Sequence, residues 1–342
     1  MVTLKDVAER VGKSVSSVSK ALSGAPDIGP ETQAAVLAAA EELGYVPNAA
    51  ALQLKLQRTD TVGVILPAGA DLRLSDPFFS EFLTGLVEQL EVFELSVLLS
   101  SAANGDDEAA YLKHMRARRV DGFVVVRTQF GDARIPVLAG RGIPFVSFGR
   151  TGPTDRHPFV DEDGASAMEA VVEHLAAMGH TDMVCLAEPA GYTKGHNRVL
   201  GFLSGMERRE LPVTLDSVIV AGYRQTSGYE VASELLSRPQ PPTAIICCND
   251  LIALGAMKAT QERGLTVGHD VSITGFDDIA LAAYANPSLT TVRNAAGDSG
   301  RIAADIIGRS LRGLHVDNTQ VLLNLELVVR DSTGPPVAAG GA

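Results

Sequence analysis

The residues with the plainest chemical promise lie near the start of the chain, in the run LKDVAERVGKSVSSVSKALSG over 4–24. If the segment after Ser14 is helical, Val15, Ser16, Ser17, Ser19 and Lys20 project from its outer side. Hydroxyl, small apolar and basic groups on one helix suit base edges and phosphates in a major groove. A solvated polar face on a small helical cap is the competing reading. A second set of candidates follows the apolar runs of the later chain. Asp76-Pro77-Phe78-Phe79 comes after the run at 61–67 and its loop, Arg127 after 120–126, and Gly149-Arg150 after 143–148. Tyr223 comes after 217–221, Asn249-Asp250 after 243–248, and Asp277-Asp278 after 271–275. Carboxylates, amides and guanidiniums bridge vicinal hydroxyls, while an aromatic ring covers the apolar face of a sugar. The mixture fits a neutral polyol better than a phosphate or a hydrophobe. Asp250 and Asp278 also read as helix caps.

The elements that must hold these groups follow from periodicity. Leu4, Val7, Ala8 and Val11 recur at helical spacing, Thr3 and Asp6 have the spacing of a capping box, and Gly12 ends the helix. Ser14 caps a second helix to Leu22 with Val18, Ala21 and Leu22 inward. Pro30 opens a third with Val36, Ala40 and Leu43 inward. Three short helices with a tight first turn are the helix-turn-helix plan. Pro47-Asn48 then caps AAALQLK at 49–55, too short to hold a helix alone in water and so a helix conditional on a partner surface.

From Thr61 the pattern changes to βα alternation. Strands are expected at 61–67, 95–100, 120–126, 143–148, 157–160, 183–187, 217–221, 243–248, 271–275, 289–293 and 323–330. Helices are expected near 78–93, 106–117, 163–178, 194–209, 226–237, 250–263 and 297–313. Alternation of this kind predicts parallel sheets with helices on both faces, and so many strands predict two lobes rather than one sheet.

The formal net charge is −12, yet residues 1–59 hold six basic and six acidic residues. The whole acidic excess therefore lies beyond residue 59, and any nucleic-acid contact must come from before it. No run is apolar enough for a membrane helix, and the start lacks the build of a signal peptide, so a cytoplasmic protein with no membrane partner is expected. Cys185, Cys247 and Cys248 lie in apolar runs and read as buried reduced thiols. No G-x-S-x-G, G-x-x-x-x-G-K-[ST], H-E-x-x-H or G-x-G-x-x-G motif occurs, so no enzyme, cofactor or metal is expected. His174 and His180 flank a helix end, and His180 after Gly179 reads as a C-terminal cap favoured by the helix dipole rather than half of a metal pair.

The first 55 residues resemble the DNA-binding headpiece of the lactose-repressor (LacI/GalR) family. The match runs through Val7-Ala8, Gly12, Ser14, Val18-Ser19-Lys20, Thr32, Gly44-Tyr45-Val46-Pro47-Asn48, Ala51 and Leu54. The resemblance implies that Val15 and Ser16 discriminate bases and Ser17 contacts phosphate, with Thr3, Ser14, Ser19, Lys20 and Asn48 completing the DNA-contacting set. It further implies paired hinge helices in the minor groove, with Leu54 as wedge and Ala51 as the small residue permitting close approach. Gln33 stands where the family has Arg, and Gly29 where it has a capping Ser.

Residues 61–333 resemble the same family through DPFFSEFLTGL, HLAAMGH, Arg198-Val199-Leu200-Gly201-Phe202, CNDLIALGAMKA, GFDD, NPSLTTVR and LELVVRDST. This implies a two-lobed, type I periplasmic-binding-protein-like fold. By the same resemblance Arg198, Asn249 and Asp277 match sugar-hydroxyl contacts, and Tyr223 and Phe79 supply apolar walls. Asn294 stands where many members have Gln. The stretch from Arg127-Thr128 to Asp132-Ala133-Arg134, with Phe148-Gly149-Arg150, looks like members answering to disaccharides or glucosides. The expected arrangement is an all-α helix-turn-helix headpiece at 1–46, a hinge at 47–59, and an effector-binding and dimerisation domain at 60–334. Lobe 1 would take about 60–160 and 293–320, lobe 2 about 161–290 and 321–334, with a disordered tail at 335–342. The expected function is a homodimeric regulator, a repressor released from a pseudo-palindromic double-stranded operator by a sugar. A ligand-activated co-repressor and a sugar-binding module without DNA function are the rivals.

Overall fold

The computed structural model describes residues 2–25, 27–45, 58–67, 74–102 and 107–337. The chain divides into two units, Met1–Thr59 and Asp60–Ala342. Transcription of local signals into structure is direct in the first. Helix α1 (Leu4–Val11) begins at a capping box: Thr3 Oγ1 accepts from the Asp6 N–H, and the Thr3 N–H donates to Asp6 Oδ2 at 2.7 Å. It ends at Gly12, whose φ of 64° is the left-handed region that favours glycine. Helix α2 (Val15–Leu22) starts where Ser14 Oγ accepts from the Ser17 N–H at 3.1 Å. Helix α3 (Pro30–Leu43) has Pro at its first turn, and Gly29 supplies no side-chain cap. Val7, Ala8, Val18, Ala21, Val36, Ala39 and Ala40 are buried together, so each helix contributes its apolar stripe to one small core.

Among its described residues the second unit carries two six-stranded sheets. The first contains β1 (Thr61–Leu66), β2 (Ser96–Ser101), β3 (Gly122–Val125), β4 (Phe145–Phe148), β5 (Phe159–Glu162) and β11 (Gln320–Leu323). Their spatial order is β11-β5-β4-β3-β1-β2. The second contains β6 (Met183–Ala187), β7 (Val218–Val220), β8 (Ala244–Cys247), β9 (Ser272–Asp277), β10 (Thr290–Arg293) and β12 (Glu326–Val328), in the order β12-β10-β9-β8-β6-β7. Every pairing is parallel except β10 with β12. Parallel strands covered on both faces must be apolar on both. Along β6, Val184 and Leu186 join one core while Met183, Cys185 and Ala187 join the other.

Helices cover both faces of each sheet. On lobe 1 they are α4 (Pro77–Val92), α5 (Asp107–Arg116), α6 (Arg134–Gly140) and α12 (Ala296–Leu311). On lobe 2 they are α7 (Gly164–Ala177), α8 (Thr193–Arg208), α9 (Gln225–Leu235), α10 (Asp250–Glu262) and the short α11 (Ala280–Tyr284). Helices α4 and α12 touch through glycine: a Cβ on Gly85 would lie 2.0 Å from the Gly297 carbonyl oxygen, and one on Gly300 2.1 Å from that of Phe82.

Three details differ from the sequence expectation. The expected strand at 323–330 takes in the last residue of β11 and all of β12, two strands that belong to different sheets. The apolar pattern runs through Asn324-Leu325 without a Gly or Pro, so nothing local marks the change of lobe. The chain therefore changes lobe between β5 and α7, between β10 and α12, and between β11 and β12, a few residues after the expected boundaries at 160, 290 and 320. Helices α6 and α11 were not expected. The tail expected to be disordered from 335 is still placed at Pro336, which lies against Gly179, while 338–342 are outside the described residues.

His180 is likewise no dipole-favoured cation. Its ring is buried, with Nδ1 2.9 Å from Thr243 Oγ1 and Nε2 within 3.0 Å of Ser272 Oγ and the Gly334 carbonyl. Burial lowers its pKa. Only its backbone N–H closes the helix, on the Leu175 carbonyl.

Asp250 and Asp278 are not caps either. Asn249 caps α10, its Oδ1 accepting from the Ile252 N–H at 2.8 Å. Asp250 lies fully buried one residue on, accepting from the Ile279 N–H at 2.8 Å and from Thr291 Oγ1. Asp278 instead joins Arg293 and Arg330 at 2.8 and 2.6 Å. Burial pushes the Asp250 pKa up to about 7. A carboxyl raised on folding stabilises fully below its unfolded pKa, and that contribution is lost as pH rises toward the folded value. Asp250→Asn keeps one acceptor for Ile279 and can donate to the Thr291 hydroxyl. We expect its stability gain over wild type to be greater at pH 7.5 than at pH 4.5 by on the order of 3 kcal/mol. Urea unfolding at the two pH values measures this, and an equal difference at both would show Asp250 ionised throughout.

Candidate nucleic-acid interface and ligand cleft

In the first unit, α2 presents Val15 (43% exposed), Ser16 and Lys20 to solvent, with Ser17 and Ser19 partly covered. Ser17 Oγ lies 2.8 Å from Ser14 Oγ, and the Thr3 hydroxyl donates to Asp6, so these three polar groups first shape helix ends. Lys20 pairs with Asp27 across the surface. An exposed pair of this kind is worth roughly 0–1 kcal/mol, so a phosphate can displace Asp27 easily. Asn48, Ala51 and Leu54 lie outside the described residues.

In the second unit a cleft opens between the lobes, with about 780 Å³ of atom-free space counted out to its mouth. Lobe 1 contributes Asp76, Phe78, Phe79 and Arg127, and lobe 2 contributes Arg198, Tyr223, Asn249 and Asp277. These expected residues come together because each lies at or just beyond the carboxyl end of a strand, or in the first turns of the helix that follows. Ligands of open α/β sheets bind at that edge.

Arg198 organises the lobe 2 wall. The buried guanidinium sits 3.7 Å from the centre of the Phe276 ring and donates to the Cys248 carbonyl. It lies 3.1 Å from Asp277 Oδ1 and 3.6 Å from Glu188 Oε1. Asp277 and Glu188 hold its pKa above the usual guanidinium value against the effect of burial. Burial pushes the Asp277 carboxyl well up, opposed by Arg198. Asp277 has a φ of 117°, left-handed backbone that an L residue adopts only under strain, as happens at binding sites. Glu188 Oε1 also accepts from the Asn249 amide at 3.2 Å.

On lobe 1, Asp76 caps α4 by accepting from the Phe78 N–H at 3.1 Å, and burial raises its pKa. Lys194 reaches across from α8 to Glu162 at 2.9 Å, its ammonium 3.4 Å from the centre of the Phe148 ring. Thr128 and Thr193 close the lobes with a hydroxyl contact of 2.8 Å and a backbone bond of 3.0 Å.

Two expected residues do not line the cleft. Arg150 turns to Asp161 at 2.8 Å, and Asn294 donates to Asp277 Oδ1 at 3.0 Å, acting on a cleft residue from outside. The expectation omitted Glu188, Tyr192 and Lys194, all of which line it. Glu188 directly follows β6, and applying the strand-end rule to β6 as to its neighbours would have found it. The Cys248 contact and burial raise the Cys185 thiol pKa well above normal, and burial does the same for Cys247, so these thiols are held protonated.

A three-helix reader and a two-sheet body with a polar cleft define a DNA-binding transcriptional regulator with a periplasmic-binding-protein-like domain. Residues 3–48 match the bacterial regulatory proteins of the lacI family, and residues 172–333 match the periplasmic binding protein-like domain. The chain is 36% identical to the HTH-type transcriptional regulator AglR of Rhizobium meliloti, covering 98% of this chain and 95% of that protein. The fold is similar to that of the lac repressor dimer bound to operator and the anti-inducer ONPF, with TM-score 0.86 and 27% identity over 97% of this chain and 99% of that one. It is also similar to the transcriptional regulator CelR–cellobiose complex, with TM-score 0.73 and 26% identity over 97% and 100%. The chain belongs to the lacI family of bacterial regulatory proteins.

Proposed function

We propose that the protein is a cytoplasmic, homodimeric repressor of carbohydrate uptake or breakdown genes, released from a roughly palindromic operator by a sugar. One observation carries the effector class: aromatic rings and hydrogen-bonding groups of both signs line one interlobe cleft, with no cluster of free cations for a phosphate among the described residues. That the CelR structure holds cellobiose supports the same class. Arg198, Asp277 and Asn249 would take hydroxyls from lobe 2, and Asp76 and Arg127 from lobe 1, with Tyr223 and Phe79 as walls. Among the described residues the side-chain bonds to Asp277, from Arg198 and Asn294, fall on Oδ1, which leaves Oδ2 for a ligand. To move operator occupancy from nearly full to nearly empty, the sugar must favour one state by about 5.5 kcal/mol.

A panel of mono- and disaccharides in thermal unfolding, followed by anisotropy titration of DNA flanking the gene, tests this reading. A stabilising sugar that weakens DNA binding supports it, whereas one that strengthens binding makes the protein a co-repressor type. A panel without any stabilising sugar removes the effector class.

The headpiece carries its own prediction. Replacing Ser16 should change preference at one symmetric pair of operator positions and cost about 1–3 kcal/mol on the original site. Lys20→Ala should weaken all sequences alike and flatten the salt dependence. Selection from random DNA checks both, and an unchanged preferred site in Ser16 variants would reassign base reading to other residues.

A further inference from the structure

The least satisfied group in the cleft is Arg127. Its backbone, at the end of β3, has a φ of 55° and is held in place by Arg134. The Arg134 guanidinium donates to the Val126 and Arg127 carbonyls at 3.1 and 3.0 Å, and buried Asp132 fixes it at 2.6 Å. The Arg127 side chain, carried by lobe 1, ends between two rings of lobe 2. Its guanidinium carbon is 4.1 Å from the Tyr192 ring centre and 4.6 Å from that of Tyr223. Attraction of the cation to both ring faces grips it there. Yet Nε and Nη2 are buried and meet no hydrogen-bond partner among the described residues, and neither does the Tyr223 hydroxyl. Burial pushes the Tyr223 pKa up to about 12, so the hydroxyl keeps its proton and remains a donor.

We propose that Arg127 is a latch that closes the two lobes only around a ligand, and that the ligand is a neutral molecule rich in oxygen acceptors. This rests on the sugar reading above and adds how occupancy becomes closure. Closing over an empty cleft strips water from the guanidinium edge and returns only the ring contacts, with no hydrogen bond for Nε or Nη2 among the described residues. Closing over hydroxyl or ring oxygens replaces the lost water, while the two tyrosine rings hold the faces in either case. The unsatisfied donors thus turn ligand binding into a preference for the closed state. Neutrality follows from the charges nearby. Asp76, Glu188 and Asp277 line the cleft, and Glu162 pairs with Lys194, so four carboxylates face Arg127, Lys194 and Arg198. An acidic ligand would have to compete with these carboxyl groups for Lys194 and Arg198.

The test uses the full chain as wild type, Arg127→Met and Arg127→Lys. Methionine keeps apolar contact with the rings, and lysine keeps the charge but loses the planar fork. Thermal unfolding and small-angle scattering are run without sugar and with glucose, galactose, maltose, sucrose, trehalose, cellobiose, gluconate or glucuronate. A neutral sugar should raise the wild-type Tm and contract the wild-type protein. Without sugar both variants should melt no lower than wild type. With it they should bind at least tenfold more weakly and fail to contract. Variants that melt well below wild type without sugar would make Arg127 a structural brace and overturn the latch. So would variants that bind and contract like wild type. Stabilisation by gluconate or glucuronate above every neutral sugar would overturn the ligand class. If nothing in the panel moves the wild type, the sugar reading fails. The sugar-free melts then still judge the latch: variants at least as stable as wild type support it, and less stable ones overturn it.

Discussion

A protein lacking residues 1–59 is expected to lose sequence-specific DNA binding altogether while its body folds and binds ligand as before. The headpiece core is drawn from α1, α2 and α3, and the four cores of the body draw on residues from 62 onward. The cut must spare Asp60. Its carboxylate pairs with Arg312 at 2.6 Å, and its N–H donates to Asp121 at 2.7 Å, so it belongs to the body. Specific sites are typically held about 10³–10⁷-fold more tightly than random DNA, and the acidic body offers nothing to replace that. Anisotropy with the operator should show at least a thousandfold loss, while calorimetry shows the body's unfolding transition unchanged. Operator protection by the truncated protein would place DNA reading elsewhere in the chain.

Arg198→Ala is expected to produce the largest loss of any single cleft substitution, and to do so in two measurements at once. The guanidinium is the counter-charge for both Asp277 and Glu188. Removing one member of a buried ionic cluster costs about 3–5 kcal/mol, because the carboxylates left behind are neither solvated nor paired. The variant should therefore melt at lower temperature and lose sugar binding together. Asp277→Asn should separate the two effects. Its amide oxygen still accepts from Arg198, Glu188 remains as a partner, and burial already disfavours the Asp277 charge. Its Tm should stay close to wild type while sugar affinity falls about tenfold or more, the cost of one unpaired hydroxyl at about 1–3 kcal/mol. Operator affinity in the absence of sugar should be unchanged. A stable Asp277→Asn variant with normal sugar affinity would remove that carboxylate from the binding site and leave it a structural role only.

The contrast between these two variants was not visible in the sequence, and the reason is distance along the chain. Thr3 with Asp6, Ser14 with Ser17, and Gly12 act over three or four residues, so the headpiece could be read element by element. The βα alternation was legible for the same reason, since each strand announces itself by its own apolar run. Asp250 and Asp278 look like local caps but find their partners in Thr291, Arg293 and Arg330, which no spacing rule reaches. The rule that ligands meet strand ends located Asp76, Arg127, Tyr223, Asn249 and Asp277. It says nothing of which way a side chain turns, and so it admitted Arg150, which points to Asp161. Arg198 and Asn294 were reached through family resemblance alone. The first is the centre of the lobe 2 wall, and the second supports Asp277 from behind.

The two strands at the end of the chain have a consequence for the genetics of the gene. β11 closes one edge of the first sheet and β12 one edge of the second. Just beyond them, Ser332 accepts from the Thr290 N–H and donates to the Ile273 carbonyl, and the Gly334 carbonyl receives the buried Ser272 hydroxyl. A stop codon placed after the codon for Leu311 would leave every described helix and both walls of the cleft encoded, yet would uncover β5 and β10 together. Nonsense alleles late in the reading frame should therefore behave as nulls rather than as uninducible or superrepressing alleles, and immunoblots should find little accumulated product from them. A missense screen for regulators that no longer respond to sugar would accordingly yield substitutions in the cleft and few truncations.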